Sequence, residues 1–420
     1  MPLCVNLEGT LLRTDLLFEL LARLLRQKPW LLPMVPFWLL RGKAALRREI
    51  TSRVLLDAAT LPYHAAYLGW LRKEKASGQS LVLATADYPG VARPVAAHLN
   101  IFDDVRVCER QTLEHEKPFV APRAGFRDYV AALRVHQWAK NILGFAPLIT
   151  SHEIFHLELV MRCALAMGLF SLCSSAQYLI NDLVDLETDR RHPTKKLRPF
   201  AAGTVPLQAG FLLAPLLLLA AFAGAIVIST TFALTLAIYT VAALSYSLFL
   251  KKTVLVDVFV LSGLLMLRVI AGQLVTGVVY SVWLLSFGFF LLLSLALSKR
   301  CTELSNAGAD PDSLAGRGYQ VTDLPQINAF GVCSAFLAAA VFMLYLQSDR
   351  VRELYRSPDV LWLWSPLFLY WITRVWILSS RGRINDDPVM FVLKDRPTWW
   401  VAFLAALIMA LAGAKSWSGH

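Results

Sequence analysis

"YLINDLVDLETDRRHPTKKLRPFAAG", residues 178–203, decides how this chain is read. An apolar segment runs straight into four acids (Asp182, Asp185, Glu187, Asp189) and then five bases (Arg190, Arg191, Lys195, Lys196, Arg198). On a helix, Asp182, Asp185 and Asp189 are spaced i, i+3, i+7 and share one face, with Asn181 beside them. Three carboxylates on one face repel each other unless a cation stands between them. Hard oxygen ligands of this kind suit Mg²⁺, which keeps several waters and bridges carboxylate to phosphate. Lys195, Lys196 and Arg198 follow the helix-breaking Pro193, so they can fold back and complement the remaining phosphate charge. A solvated loop would explain the bases but not the ordered acids.

The surroundings of this block are a membrane protein's. Of 420 residues, 56% are hydrophobic and only 17% are charged, and the mean hydropathy is +0.52. The charges cluster between apolar runs, as in a polytopic bundle. Approximate spans are 139–151, 157–180, 207–228, 231–250, 254–276, 280–298, 326–347, 360–380 and 398–414, an all-α bundle of about nine transmembrane helices. The net charge of +11 reads as loop Lys and Arg on the cytoplasmic side, not as a nucleic-acid surface. Connections at 151–156, 229–230 and 277–279 carry no Lys or Arg, whereas 181–206, 251–253, 299–325 and 381–397 carry many. Only 348–359, with Arg350, Arg352 and Arg356, breaks the pattern. The charged loops, and with them the acidic block, are therefore expected to face the cytoplasm. Six scattered cysteines with no CxxC pair suggest neither a disulfide framework nor a zinc site.

Residues 1–125 differ in composition and read as a small α/β unit, with 126–420 as the membrane domain. The start, "MPLCVNLEGTLLRTD", carries acids before any apolar core, unlike an ordinary signal peptide. "PLCVNLEGTLL" and "SLVLATADYPG" look like strands bounded by turn formers. Between them, Arg23, Arg26 and Lys28 and then Pro29, Pro33 and Pro36 interrupt an apolar stretch too broken to span. It reads as an amphipathic hairpin lying on the bilayer, or as the cap of a soluble domain.

A second charged region is "YSLFLKKTVLVDVFVLSGLLMLRVIAG", residues 246–272. Asp257 and Arg268 fall inside a segment otherwise apolar enough to span, roughly 16 Å apart along a helix. Charge at that depth faces a cavity or a partner. The alternative is a structural ion pair inside the bundle. "SKRCTEL" adds Lys299, Arg300 and Glu303 at the end of a span, and "RGYQ" (Arg317, Gly318, Tyr319) follows.

"NDLVDLETD" resembles the NDxxDxxxD pattern of the UbiA superfamily of intramembrane prenyltransferases, and the resemblance runs over about 126–420. Within that superfamily the chain is most similar to the polyprenyl-phosphate phosphoribosyltransferases. The carrying stretches are "LRVHQWAKN" (133–141), "HPTKKLRP" (192–199), "LKKTVLVDV" (250–258), "LRVIAG" (267–272), "SKRCTEL" (298–304) and "LKDRP" (393–397). Other members carry a second acidic motif of the form DxxxD. Here Asp257 is followed four residues on by Leu261, so one carboxylate remains.

The resemblance implies transfer of 5-phosphoribose from phosphoribosyl pyrophosphate to a long-chain polyprenyl phosphate in a bacterial inner membrane, for cell-envelope glycan synthesis. It implies Mg²⁺ on Asp182, Asp185 and Asp189, and Asn181 and Asp257 in the catalytic set. Lys195, Lys196 and Arg198 would grip the donor phosphates. Lys251, Arg268, Lys299 and Arg300 are candidates for the acceptor phosphate or the donor 5-phosphate. Arg134, Gln137, Lys140 and Asn141, with Tyr178 and Tyr246, complete the substrate-binding set; Trp138 beside them could equally be an interface anchor. A homo-oligomer is compatible with this reading. The alternatives are a prenyltransferase joining a prenyl diphosphate to an aromatic or other acceptor, and a transporter or lipid-binding scaffold.

The N-terminal region has a resemblance too. "VNLEGTLLRTD" is similar to the first motif, DxDGT, of the haloacid dehalogenase superfamily. "LATA" (83–86) is similar to its second through Thr85, and Lys117 could stand for the third. Asn6 replaces the nucleophilic aspartate, and a carboxamide cannot form an aspartyl phosphate. Glu8 replaces the second aspartate, and the final acidic motif is missing. The resemblance implies a truncated, catalytically silent phosphatase relic.

Overall fold

Leu81–Thr85 is a run of five buried residues, the pattern of a strand covered on both faces. It is the middle strand, β2, of a three-stranded parallel sheet, between β1 (Leu3–Asn6) and β3 (Asp104–Val107). Leu3 pairs with Leu81 and Val82 with Asp104. The Leu16–Gln27 helix starts at Asp15, whose side chain accepts from the Leu17 amide at 2.8 Å. It buries Leu16, Leu20 and Leu24 in the same core as Val5, Leu83 and Val95.

The computed structural model describes residues 2–86, 88–107, 124–307, 318–384 and 388–413. It divides into two units. The first joins Met1–Val135 to Ser175–Leu217, so the α/β region is one body with the segment that carries the acidic block. The sheet bears out a small α/β N-terminal region. Lys117 and Arg317 lie outside the described residues. The stretch expected as a bilayer hairpin splits in character. Leu16–Gln27 is packed into the core, whereas Pro29–Leu40 exposes Trp30, Phe37 and Leu40.

The second unit comprises His136–Ser174 and Leu218–His420. Among the described residues seven helices are long and apolar enough to cross a membrane: Leu157–Val184, Leu207–Ile228, Thr230–Leu248, Val256–Thr276, Val282–Asn306, Val321–Leu346 and Pro358–Ser380. The chain is a multi-pass membrane protein. Two expected spans take other forms. The described part of the expected 398–414 span falls largely in the 17-residue helix Arg396–Ala412. Residues 139–151 form a 3₁₀ run, Val135–Phe145, and one helical turn, Ala146–Thr150. Pro147 and a close approach explain the break: a Cβ on Gly272 would lie 1.8 Å from the Gly144 carbonyl oxygen. The helices are joined by small residues and hydroxyls, as expected where lipid supplies no hydrophobic drive. Trp376 covers Gly331 and donates to Ser294 at 2.9 Å, and Ser294 donates to the Gly331 carbonyl at 3.0 Å.

Candidate functional site

The first charged centre lies wholly within the first unit. The Leu157–Val184 helix ends in Asn181 and Asp182, Asp185 is a turn residue, and Leu186–Arg191 restarts the helix. The acids are thus not on one uninterrupted helix as expected. Backbone bonds from Asp185 to the Asn181 carbonyl (2.9 Å) and from Asp189 to the Asp185 carbonyl (2.8 Å) keep near-helical spacing across the break, so the shared face survives.

Asp182 is 2% exposed and Asp189 3%. The chain then reverses through Pro193 and a 3₁₀ turn, Lys195–Leu197. His192 Nδ1 accepts from the Thr194 and Lys195 amides at 3.2 and 3.4 Å and shapes that turn. As expected from the sequence, Arg198 comes back onto the acids: its Nη1 donates to Asp189 Oδ2 at 2.6 Å and to Asp182 Oδ1 at 3.3 Å. Arg134 donates to the same Asp182 oxygen, and its guanidinium lies 5.2 Å from the Tyr178 ring centre. Arg134 has φ +50°, a strained value for a side-chain-bearing residue and one met at functional sites. Lys195 is half-buried and Lys196 exposed.

Burial pushes the Asp189 carboxyl up to about 6, against the opposing pull of Arg198. Among the described residues no three His, Cys, Asp or Glu side chains already form a metal cage. The donor set nevertheless fits Mg²⁺. Two carboxylate oxygens lie within reach of a single cationic nitrogen, and Mg²⁺ needs only one or two carboxylates when phosphate and water complete its shell.

One buried polar residue near this centre in sequence was not singled out from the sequence. Gln177 is 5% exposed, and neither atom of its amide has a hydrogen-bond partner among the described residues. It stands one turn before Asn181 on the same helix face. That spacing was the available signal.

The second charged region lies within the second unit. Asp257 forms an ion pair inside the bundle, but with Arg300 and not with Arg268 on its own helix. Asp257, fully buried, accepts from Arg300 Nε at 2.6 Å and from the Tyr319 hydroxyl at 2.5 Å. The Tyr319 hydroxyl in turn accepts from the amide of Leu255, which has φ +65° at the start of the Val256–Thr276 helix. Burial, and its bond to Asp257, raise the Tyr319 phenol above its ordinary range. Arg300 also binds Glu303, and its Nη2 is buried with no partner among the described residues.

Arg268, 3% exposed, has no carboxylate partner among the described residues. It donates to Asn141 Oδ1 at 2.8 Å, to the Tyr239 hydroxyl at 3.3 Å and to the Leu264 carbonyl. The rings of Phe170 and Tyr239 lie 5.0 and 5.1 Å from its guanidinium. Asn141 is fixed by its own bond to Ser171 at 2.6 Å. Lys140 is buried, while Gln137, Tyr246, Lys251 and Lys299 are half-buried. Tyr246 is within electrostatic reach of Arg300 and Lys299.

Known proteins resemble the chain over much of its length. The UbiA prenyltransferase family profile matches residues 142–391. The chain is 31% identical to the uncharacterized protein y4nM of Sinorhizobium fredii, over 98% of this chain and 91% of that one. It is 35% identical to the decaprenyl-phosphate phosphoribosyltransferase of Mycolicibacterium smegmatis, over 64% of this chain and 86% of that one. The solved UbiA homolog of Archaeoglobus fulgidus bound to GPP and Mg²⁺ superposes with a TM-score of 0.51 at 17% identity, covering 68% of this chain and 98% of that one. That last likeness is one of fold. The chain belongs to the UbiA prenyltransferase family.

Proposed function

We propose that the protein transfers 5-phosphoribose from phosphoribosyl pyrophosphate to a long-chain polyprenyl phosphate. The observation that carries this reading is Arg198, from the basic tail, lodged between Asp182 and Asp189. A centre of carboxylates interleaved with cations suits a donor with several phosphates. The single Asp257, already engaged by Arg300 and Tyr319, argues against a second acidic cluster for a prenyl diphosphate. The phosphoribosyltransferase relative at 35% identity supports the same choice.

In this reading Asp182, Asp185 and Asp189 would hold Mg²⁺, which when bound would neutralise the charge of the leaving pyrophosphate. Asn181, Lys195, Lys196 and Arg198 hold and orient the donor phosphates. Gln177 offers a donor and an acceptor to the substrate. Arg268 and Arg300, whose buried Nη2 has no partner among the described residues, would receive the acceptor phosphate or the donor 5-phosphate, with Lys251 and Lys299 as further candidates. The acceptor phosphate oxygen forms a bond to the anomeric carbon as the bond from that carbon to pyrophosphate breaks. A phosphate nucleophile is ionised near neutral pH, so no general base is required. The Lys- and Arg-rich loops support a cytoplasmic face in a bacterial inner membrane for this chemistry. The N-terminal region, with Asn6 at the end of β1 and Thr85 at the end of β2, is in this reading a silent relative of the haloacid dehalogenases.

The test is incubation of the purified protein with labelled phosphoribosyl pyrophosphate, a polyprenyl phosphate and Mg²⁺. A lipid-linked phosphoribose is the expected product. Its absence, with turnover of a prenyl diphosphate onto a small acceptor instead, would replace this reading by prenyl transfer.

A further inference from the structure

The transferase reading uses one face of the Leu186–Arg191 helix, through Asp189. The residues on its other faces, Glu187, Thr188, Arg190 and Arg191, have no part in that reading, and the α/β region binds all four. Arg190 sends Nη1 and Nη2 to the two carboxylate oxygens of Glu19, at 3.0 and 2.6 Å. This pair is buried, with side chains 9% and 3% exposed. Thr14 donates to Glu19 at 2.6 Å, and Arg190 donates also to the Thr60 carbonyl at 3.2 Å. Around the pair, Arg191 binds Asp57 at 2.5 Å, Arg26 binds Thr188 at 2.8 Å, and Arg23 pairs with Glu187.

Exposed ion pairs hold little, but a buried bidentate one is directional and cannot lose a partner cheaply. One more bond gives the arrangement its meaning. Arg190 Nε donates to the Ala201 carbonyl at 3.2 Å. The same guanidinium therefore ties the helix that carries Asp189 to the turn that follows Arg198. Those two residues are the ones that meet in the acid centre. The α/β region, with its own core, is thereby coupled to the geometry of that centre.

We infer that the α/β region is a positioning clamp, in which Glu19 fixes Arg190 and Arg190 sets the approach of Asp189 and Arg198. The inference rests on the transferase reading only for the identity of the ligand. Glu19 and Arg190 are positioning residues, since neither is assigned a contact with substrate.

The experiment uses the full chain in lipid nanodiscs and reads three quantities: Mn²⁺ affinity by electron paramagnetic resonance, KM for phosphoribosyl pyrophosphate, and hydrogen exchange over 186–202. In Glu19→Gln the expectation is roughly tenfold weaker Mn²⁺ binding, as for loss of a supporting partner behind a ligand. The donor KM rises with it, more than kcat falls, and exchange over 186–202 quickens. Lys75→Ala, which cuts the exposed Lys75–Asp103 pair in the same unit, leaves all three unchanged. A folded Glu19→Gln with the parent's Mn²⁺ affinity and donor KM overturns the clamp. Should that variant fail to fold, Arg190→Lys keeps the charge opposite Glu19 but cannot span Glu19 and Ala201 together. Parent-like Mn²⁺ affinity there overturns it equally. A parent that makes no phosphoribosyl lipid yet binds Mn²⁺ in a Glu19-dependent way removes the donor assignment and supports the clamp.

Discussion

The two charged centres use the same residue types in opposite ways. Around Asp182 and Asp189 the carboxylates are buried, while the arginines on them are partly open, Arg134 at 18% and Arg198 at 27% side-chain exposure. Around Asp257 both partners are sealed: Arg300 is 2% exposed and Asp257 not at all. Open arginines can exchange a carboxylate for a phosphate, leaving the acids to a metal. A sealed guanidinium held by Asp257 and Glu303 is fixed in place. In the proposed transferase reading the first centre is rearranged by its ligand, whereas the second stays as it is.

The largest expected effect tests the first half of that contrast. Asp182→Asn removes the most buried acid but leaves Arg134 and Arg198 able to reach water. Turnover should fall by roughly 10²–10³-fold, with little change in melting temperature. A variant that keeps its turnover would break the metal role; one that unfolds would show the centre to be as rigid as the other. In the second centre the order of effects reverses. Asp257→Asn leaves Arg300 buried with only Glu303 opposite, so stability should drop by roughly 3 kcal/mol, the low end for breaking a buried pair. The check is thermal unfolding in detergent, and an unchanged melt would show that the pair is not what fixes Arg300.

The pH dependence separates the two centres further. Burial raises the folded, metal-free Asp189 carboxyl from an ordinary value near 3.8 to about 6. Its neutral form therefore contributes stability that is full below about 3.8 and is lost as pH rises through about 6. A metal needs the charged form, so Mn²⁺ affinity should weaken by up to about tenfold per pH unit as pH falls below 6. Titration of the parent between pH 5 and 8, with Asp189→Asn for comparison, checks this. A slope that persists in Asp189→Asn assigns the proton elsewhere.

The legible part of the molecule was what local chemistry determines. The acid spacing, the basic fold-back after Pro193 and the long apolar helices follow from residue type and period. So did the first two strands of the N-terminal region, since "LVLAT" is a short apolar run bounded by turn formers, the pattern of a covered strand. What was not legible depended on tertiary choice. Asp257 stands roughly 16 Å along its helix from Arg268, so its partner had to come from another element; only packing selects Arg300, 43 residues on. Residues 139–151 are apolar enough to suggest a span, yet the approach of Gly144 to Gly272 shortens them into 3₁₀ turns. The contacts of Glu19 with Arg190, 171 residues apart, carry no sequence signature at all, because neither side is unusual in its own neighbourhood.

The smallest expected effect concerns Gln177, which the proposed reading adds to the donor site. Gln177 keeps a carboxamide almost entirely out of water with neither end satisfied among the described residues. An unmet buried polar group costs roughly 1–3 kcal/mol, and an apolar group of similar size removes that cost. Gln177→Leu should therefore raise the melting temperature of the substrate-free protein. If a hydroxyl or phosphate oxygen of the substrate is what the amide is held open for, the same substitution should raise the donor KM by roughly tenfold, the worth of one such bond. The two readouts must move in opposite senses. A stabilised variant with the parent's KM would make Gln177 an unrepaired packing defect. A destabilised one would mean that the amide has a partner in the resting protein, and would move the first centre closer in character to the sealed second one.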